Sequence, residues 1–210
     1  MGRHREFDVD EALDAVIRVF WRRGYEGASY DDLTEATGVK RPGLYSAFGN
    51  KEELFRRALE RYSERYLTYM RDGLEQPTSR AMAEHLLRGV VDLTTRFPDT
   101  LGCLGINGAL TCSEASEPIF RLLVEFRAGG EASLRHRLEQ FQAAGDLPKT
   151  ADCAGLATFL MAVIHGMAVQ AKSGVSREGL GKVVEQTLAG WPVTNAQETG
   201  ARGASPPPSS

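Results

Sequence analysis

Apolar residues recur at three- and four-residue intervals along almost the whole chain, and the two-residue alternation of strands is nearly absent. That period commits the fold to helices packed on helices, an all-α class. The segment 152–172, DCAGLATFLMAVIHGMAVQAK, takes this furthest: it is apolar nearly all the way round, and an isolated surface helix of that kind could not be tolerated in water. Something must cover it. The next predicted helix, 176–190, is rich in small residues (Gly179, Gly181, Ala189) that allow close approach. The helices 152–172 and 176–190 are therefore the expected homodimer interface, with Ala168 inside it.

The N-terminal quarter reads differently, as short helices. Asp8 with Glu11 signals a first start, with Leu13, Val16, Ile17 and Phe20 on one stripe and Gly24 as the stop. Ser29 with Asp32 opens a second helix of barely two turns, ended by Gly38. Pro42 sits in the first turn of a third, where its missing N–H is harmless. There Leu44, Ala47 and Phe48 share an inward face, leaving Tyr45 and Ser46 to point elsewhere. Asn50 with Glu53 begins a fourth helix whose apolar stripe, from Leu54 through Tyr62, Tyr66 and Met70, is expected to persist to Leu74 and link two domains. After Pro77 the helices are longer. A short one is expected near Asn107 to Cys112, and another from Pro118 to Phe141, with a candidate kink at Gly129 and Gly130. The division is residues 1–52, a three-helix helix-turn-helix unit; 53–193, a larger helical domain; and 194–210, a polar, proline-rich tail expected to be disordered.

The net charge of -3 argues against a protein that coats nucleic acid by bulk electrostatics, so any such contact must be local. A suitable locality exists. From Ala36 to Lys51 there are three bases, Lys40, Arg41 and Lys51, and no acid. Two short helices joined by a turn have the dimensions of a DNA-reading motif, whose second helix enters the major groove. Lys40 and Arg41 would add charge to a helix N-terminus, Gly43 would leave room on the outer face, and Tyr45 offers a hydroxyl and a ring. The start MGRHREFDVDE lacks the apolar stretch of a secretory signal, so the cytoplasm is the expected compartment and no membrane partner is expected.

The stretch GVKRPGLYSAFGNKEELF, with VIRVFWRRGYEGASYDDLTEATG before it, closely resembles the recognition signature of the tetracycline-repressor (TetR) family over about Asp8 to Leu59. The resemblance implies a homodimeric transcriptional regulator, most simply a repressor, that binds a palindromic double-stranded operator and is released by a small-molecule inducer. It makes Ser29, Tyr30, Lys40, Arg41, Tyr45, Ser46 and Lys51 expected phosphate contacts, with Pro42, Gly43 and Tyr45 nearest the bases. Neither Pro42 nor Gly43 has a side chain that can hydrogen-bond a base edge, which shifts specificity toward Arg41, Tyr45 and DNA shape. GCLGINGAL also resembles a subgroup that includes copper- and electrophile-responsive members.

In the second half, Phe97, Cys103, Phe126, Met161 and His165 are the candidate effector-pocket residues, although at helical spacing each also reads as core. Cys103 has a second reading as a metal- or electrophile-sensing thiol, against the ordinary one of a small buried hydrophobe. Three cysteines at wide spacing, Cys103, Cys112 and Cys153, fit reduced thiols and provide no metal cluster. No paired carboxylates or Ser/His/Asp arrangement point to catalysis, so neither enzyme activity nor a cofactor is expected. The rival from another class is a helical small-molecule carrier whose N-terminal unit merely packs.

Overall fold

Helices supply all the regular structure among residues 7–99, 101–107 and 116–194, which the computed structural model describes. In chain order they are α1 (Val9–Gly27), α2 (Tyr30–Thr37), α3 (Arg41–Phe48), α4 (Lys51–Tyr66), α5 (Thr68–Leu74), α6 (Ser79–Thr95), α7 (Leu104–Asn107), α8 (Glu117–Ala143), α9 (Cys153–Lys172) and α10 (Arg177–Ala189).

The short N-terminal helices are fixed by their ends. The Asp8 carboxylate accepts the amides of Asp10 and Glu11 at 2.8 and 3.1 Å, closing the start of α1. Gly24, at φ 72° and ψ 179°, takes the chain off the helical path before α1 ends. Reciprocal capping boxes, Ser29 with Asp32 and Asn50 with Glu53, start α2 and α4. Gly38, at φ 67°, makes the turn between α2 and α3 in the left-handed region that favours glycine.

Two expectations fail in the longer helices. The stripe that pointed to one helix as far as Leu74 is interrupted at Leu67 (φ −104°, ψ 20°), which divides α4 from α5. After the break Tyr69 lies against α6, where a Cβ on Gly89 would come 2.3 Å from its ring. Apolar spacing alone did not register the break, because Tyr66 and Met70 keep their interval across it. Gly129 and Gly130, conversely, cause no kink, since α8 runs unbroken through both. Gly130 gives room to Met161, whose Cε lies 3.7 Å from the site of the missing Cβ. A short helix is present at Leu104–Asn107; the rest of the one expected near Asn107 to Cys112, Cys112 included, lies outside the described residues, as do residues 195–210 of the tail.

Two apolar cores result. One joins Val16, Ile17, Phe20, Trp21, Leu33, Leu44, Phe48, Phe55 and Tyr62 to Leu93, Leu104, Ile119 and Leu123, so side chains from both sides of residue 52 share it. Truncating a ring such as Phe55 to alanine there would cost about 3–5 kcal/mol. The other packs α6, α8, α9 and α10 around Leu86, Leu87, Leu138, Leu160, Ile164 and Leu180. By length and composition α9 could cross a membrane, yet one side of it is buried in this core. Ala168 is on that inner half, 2% exposed, which corrects its placement in the subunit interface. The outward stripe is Phe159, Ala162, Gly166 and Val169.

Candidate nucleic-acid interface and internal cavity

On α3 the inward positions are Leu44 and Phe48, both about fully buried, and the outward ones are Arg41, Pro42, Tyr45 and Ser46. Lys40, at the N-cap, is exposed, and no side chain caps the helix, so the first amides of α3 have no side-chain acceptor. Tyr30, at the start of α2, stacks on Tyr45 with ring centroids 5.1 Å apart and 22° between planes. The Arg41 guanidinium lies 4.2 Å from the Tyr30 ring centre and reaches the Tyr45 hydroxyl at 3.4 Å. Burial, and after it the neighbouring Tyr45, pushes the Tyr30 hydroxyl up to about 12, while Arg41 draws that of Tyr45 down. The result is a cation resting on an ordered aromatic pair.

Lys51 begins α4 beside this group, its ammonium 4.6 Å from the Tyr25 ring centre. Ser29 is engaged differently from the expectation, because its hydroxyl donates to the Asp32 carboxylate at 2.7 Å and accepts the Asp32 amide at 3.1 Å. Gly43 also differs: it is half-buried, and a Cβ there would come 2.9 Å from Val39, so its smallness serves packing of the turn as well as outward access. Arg57, not singled out from the sequence, joins the edge of this surface by donating to the Ala47 carbonyl at 3.2 Å.

A cavity of about 430 Å³ opens between α4, α5, α7, α8 and α9. Cys103, Phe126, Met161 and His165 line it; Phe97 does not, and packs edge-on to Trp21 and Tyr66 with ring centres 6.2 and 6.3 Å away. The Tyr62 hydroxyl donates to the Cys103 sulfur at 3.3 Å. Burial pushes that thiol up, against the smaller opposing pull of Tyr62 and of the Gly105 and Ile106 amides, so at neutral pH it stays protonated. Burial lowers His165, and Arg127 lowers it further, which keeps the imidazole neutral. Cys153 is buried at the start of α9. Among the described residues no group of three His, Cys, Asp or Glu side chains could hold a metal ion.

Tyr69 also lines the cavity and was missed from the sequence. Seven residues after Tyr62 and three after Tyr66, it lies on the same apolar stripe, so its spacing reads as core and nothing in the pattern sets it apart as a cavity residue.

Residues 12–58 match the family model for bacterial regulatory proteins of the tetR family. The HTH-type transcriptional repressor ComR of Escherichia coli is 39% identical over 194 residues, covering 91% of this chain and 92% of ComR. The chain belongs to the TetR family. Another E. coli relative, the repressor BdcR, is 27% identical over 180 residues, 85% of this chain and 86% of BdcR. Among solved structures, a cysteine double mutant of the TetR family regulator CifR, complexed with 26 bp double-strand operator DNA, is 44% identical and superimposes with a TM-score of 0.86 over 90% of this chain and all of that one. This TetR-family chain is a transcriptional regulator with an N-terminal helix-turn-helix and a C-terminal helical domain, and not an enzyme; regulators of the family are dimeric.

Proposed function

We propose that two copies of the chain, working in the cytoplasm, bind a palindromic operator as a repressor, each inserting α3 into a major groove. The observation that carries this reading is the exposed Arg41 and Tyr45 of the two-turn helix α3 stacked on the half-buried Tyr30 of α2, with no acid in the stretch 36–51. Tyr30, Lys40, Arg41, Tyr45, Ser46 and Lys51 contact phosphates; Pro42, Gly43 and Tyr45 come nearest the bases. Ser29 borders the same backbone and holds α2 in place through Asp32. The DNA-binding unit is residues 1–52 and the effector and dimerisation unit 53–193. Phe159, Gly166 and Val169 on α9 and Val183 on α10 form the twofold interface.

A small molecule in the cavity beside Cys103, Phe126, Met161 and His165 releases the operator. Successive grooves on one DNA face recur at about 34–36 Å, so a shift of a few ångströms between the two α3 helices breaks simultaneous engagement. A coupling of about 1–3 kcal/mol changes operator affinity by roughly five- to 150-fold. The protonated, buried state of Cys103 favours reversible ligand binding over a thiolate sensor.

Tyr45→Ala tests the reading. It should weaken operator binding at least tenfold in a mobility-shift titration while the helical circular dichroism and the dimer are retained. Unchanged affinity would remove α3 from the DNA. The carrier alternative predicts no retention on random duplex at low salt, whereas local phosphate contacts predict retention that is lost as salt rises.

A further inference from the structure

The cavity's polar groups constrain what it can hold. Its wall is mainly apolar, with Leu67, Met70, Ile106, Phe126, Met161 and Ile164 contributing. Among the described residues the Tyr69 hydroxyl has no hydrogen-bond partner, and neither does the His165 imidazole. Tyr69 cannot retreat to find one, because its ring is wedged against the bare backbone of Gly89, 2.3 Å from where a Cβ would stand. A phenol held at the wall of an apolar hollow offers its O–H to whatever the cavity contains, a water or a ligand atom. The charged side chains on the lining, Glu64, Arg71 and Arg127, are of both signs; Glu64 and Arg71 are exposed, and Arg127 is engaged with the Gly105 carbonyl at 3.1 Å.

We propose that the cavity's ligand is an uncharged, largely apolar molecule bearing a carbonyl-type oxygen that accepts a hydrogen bond from Tyr69. This deepens the effector reading given above and rests on it. Three titratable groups already in the cavity agree. Burial holds Tyr69 and Cys103 far toward their protonated forms and His165 toward its neutral one, so each is driven away from charge. An anionic ligand would meet the same penalty, offset only by Arg127, whose charge reaches Cys103 and His165 but which is already engaged with the Gly105 carbonyl. A carbonyl meets the Tyr69 donor without bringing charge, and about 430 Å³ falls within the range of sites that take small drug-sized molecules.

Three probes of matched shape separate the possibilities: benzophenone, its alkene isostere 1,1-diphenylethylene, and the anion 2-benzoylbenzoate. Titration calorimetry on the full dimeric protein should show the ketone binding about tenfold more tightly than the alkene, as one net hydrogen bond allows, and no measurable binding of the anion. Tyr69→Phe should abolish the ketone preference while leaving alkene affinity and the thermal melt unchanged. Equal affinity for ketone and alkene, tighter binding of the anion, binding of none of the three, or a preference that survives Tyr69→Phe overturns the assignment. Operator release is read separately by mobility shift: binding with the expected preference but without release refutes the effector reading and leaves the ligand class standing.

Discussion

At the scale of single residues, the reading head is held by one carboxylate. Asp14 on α1 accepts Arg61 Nε at 2.6 Å and Arg61 Nη2 at 3.1 Å, and also pairs with Arg65, so two arginines of α4 converge on it. The bidentate Arg61 contact, with Arg65 beside it, holds the Asp14 carboxyl below the usual carboxylate range against some opposing burial. A folded-state pKa lower than that of the unfolded chain means stability that is fully present above the unfolded value and is lost as pH falls through the folded one. Asp14→Asn should therefore lower stability by about 1–2 kcal/mol at pH 7, since the carboxylate and Arg61 are each only about a quarter exposed. In urea unfolding the gap between wild type and variant should be narrower at pH 3 than at pH 7. A gap of the same width at both would mean that the ion cluster contributes nothing.

Between elements, the second tie from α1 to the cavity wall bypasses α4. The Trp21 indole N–H donates to the Gly102 carbonyl at 3.0 Å, and the Asn107 amide donates to the Trp21 carbonyl at 3.0 Å and to that of Leu101 at 3.3 Å. Gly102, at φ 87°, is required here, because a Cβ would meet Asn107 and the Ala168 carbonyl at 3.0 and 3.1 Å. The next residue is Cys103, which faces the cavity. Asn107→Ala leaves the buried Trp21 carbonyl without this donor and should cost about 1–3 kcal/mol, read as a lower urea midpoint with unchanged slope. No change in midpoint would mean that water replaces the amide. Element boundaries set by local chemistry were legible: the Ser29 and Asn50 caps, the Gly38 turn and the Pro42 start each depend on neighbours in sequence. The clasp was not, since it joins residues 81 and 86 positions apart through a carbonyl that any residue carries. The break at Leu67 was hidden for a related reason: the contact that accompanies it, Tyr69 against Gly89, is tertiary.

For the whole molecule, the interface proposed on α9 raises the question of which half of the helix would meet the second copy. That 152–172 needed cover was legible from its composition; which side a partner covers was not, because a helix apolar all round has little direction in its own pattern. Packing of α6 and α8 against one side leaves the other open. Ala168 belongs to that side, whereas Phe159 is 48% exposed, Val169 39% and Val183 on α10 37%, with Gly166 open between them. A substitution at a twofold interface enters twice. Phe159 leaves about half its surface for a partner to bury, worth about 0.7–1.5 kcal/mol per copy, so Phe159→Asp should weaken dimerisation by about 1.5–3 kcal/mol, roughly ten- to a hundredfold, before the burial of two carboxylates is considered. Light scattering at micromolar concentration should then report monomers, with the helical spectrum kept because Phe159 belongs to neither buried core. Operator affinity should fall with it, since one α3 helix cannot hold both half-sites. Ala168→Asp should act otherwise, lowering the melting temperature at every protein concentration by placing a charge inside the fold. A Phe159→Asp protein that remains dimeric while Ala168→Asp remains fully stable would move the interface off α9 altogether.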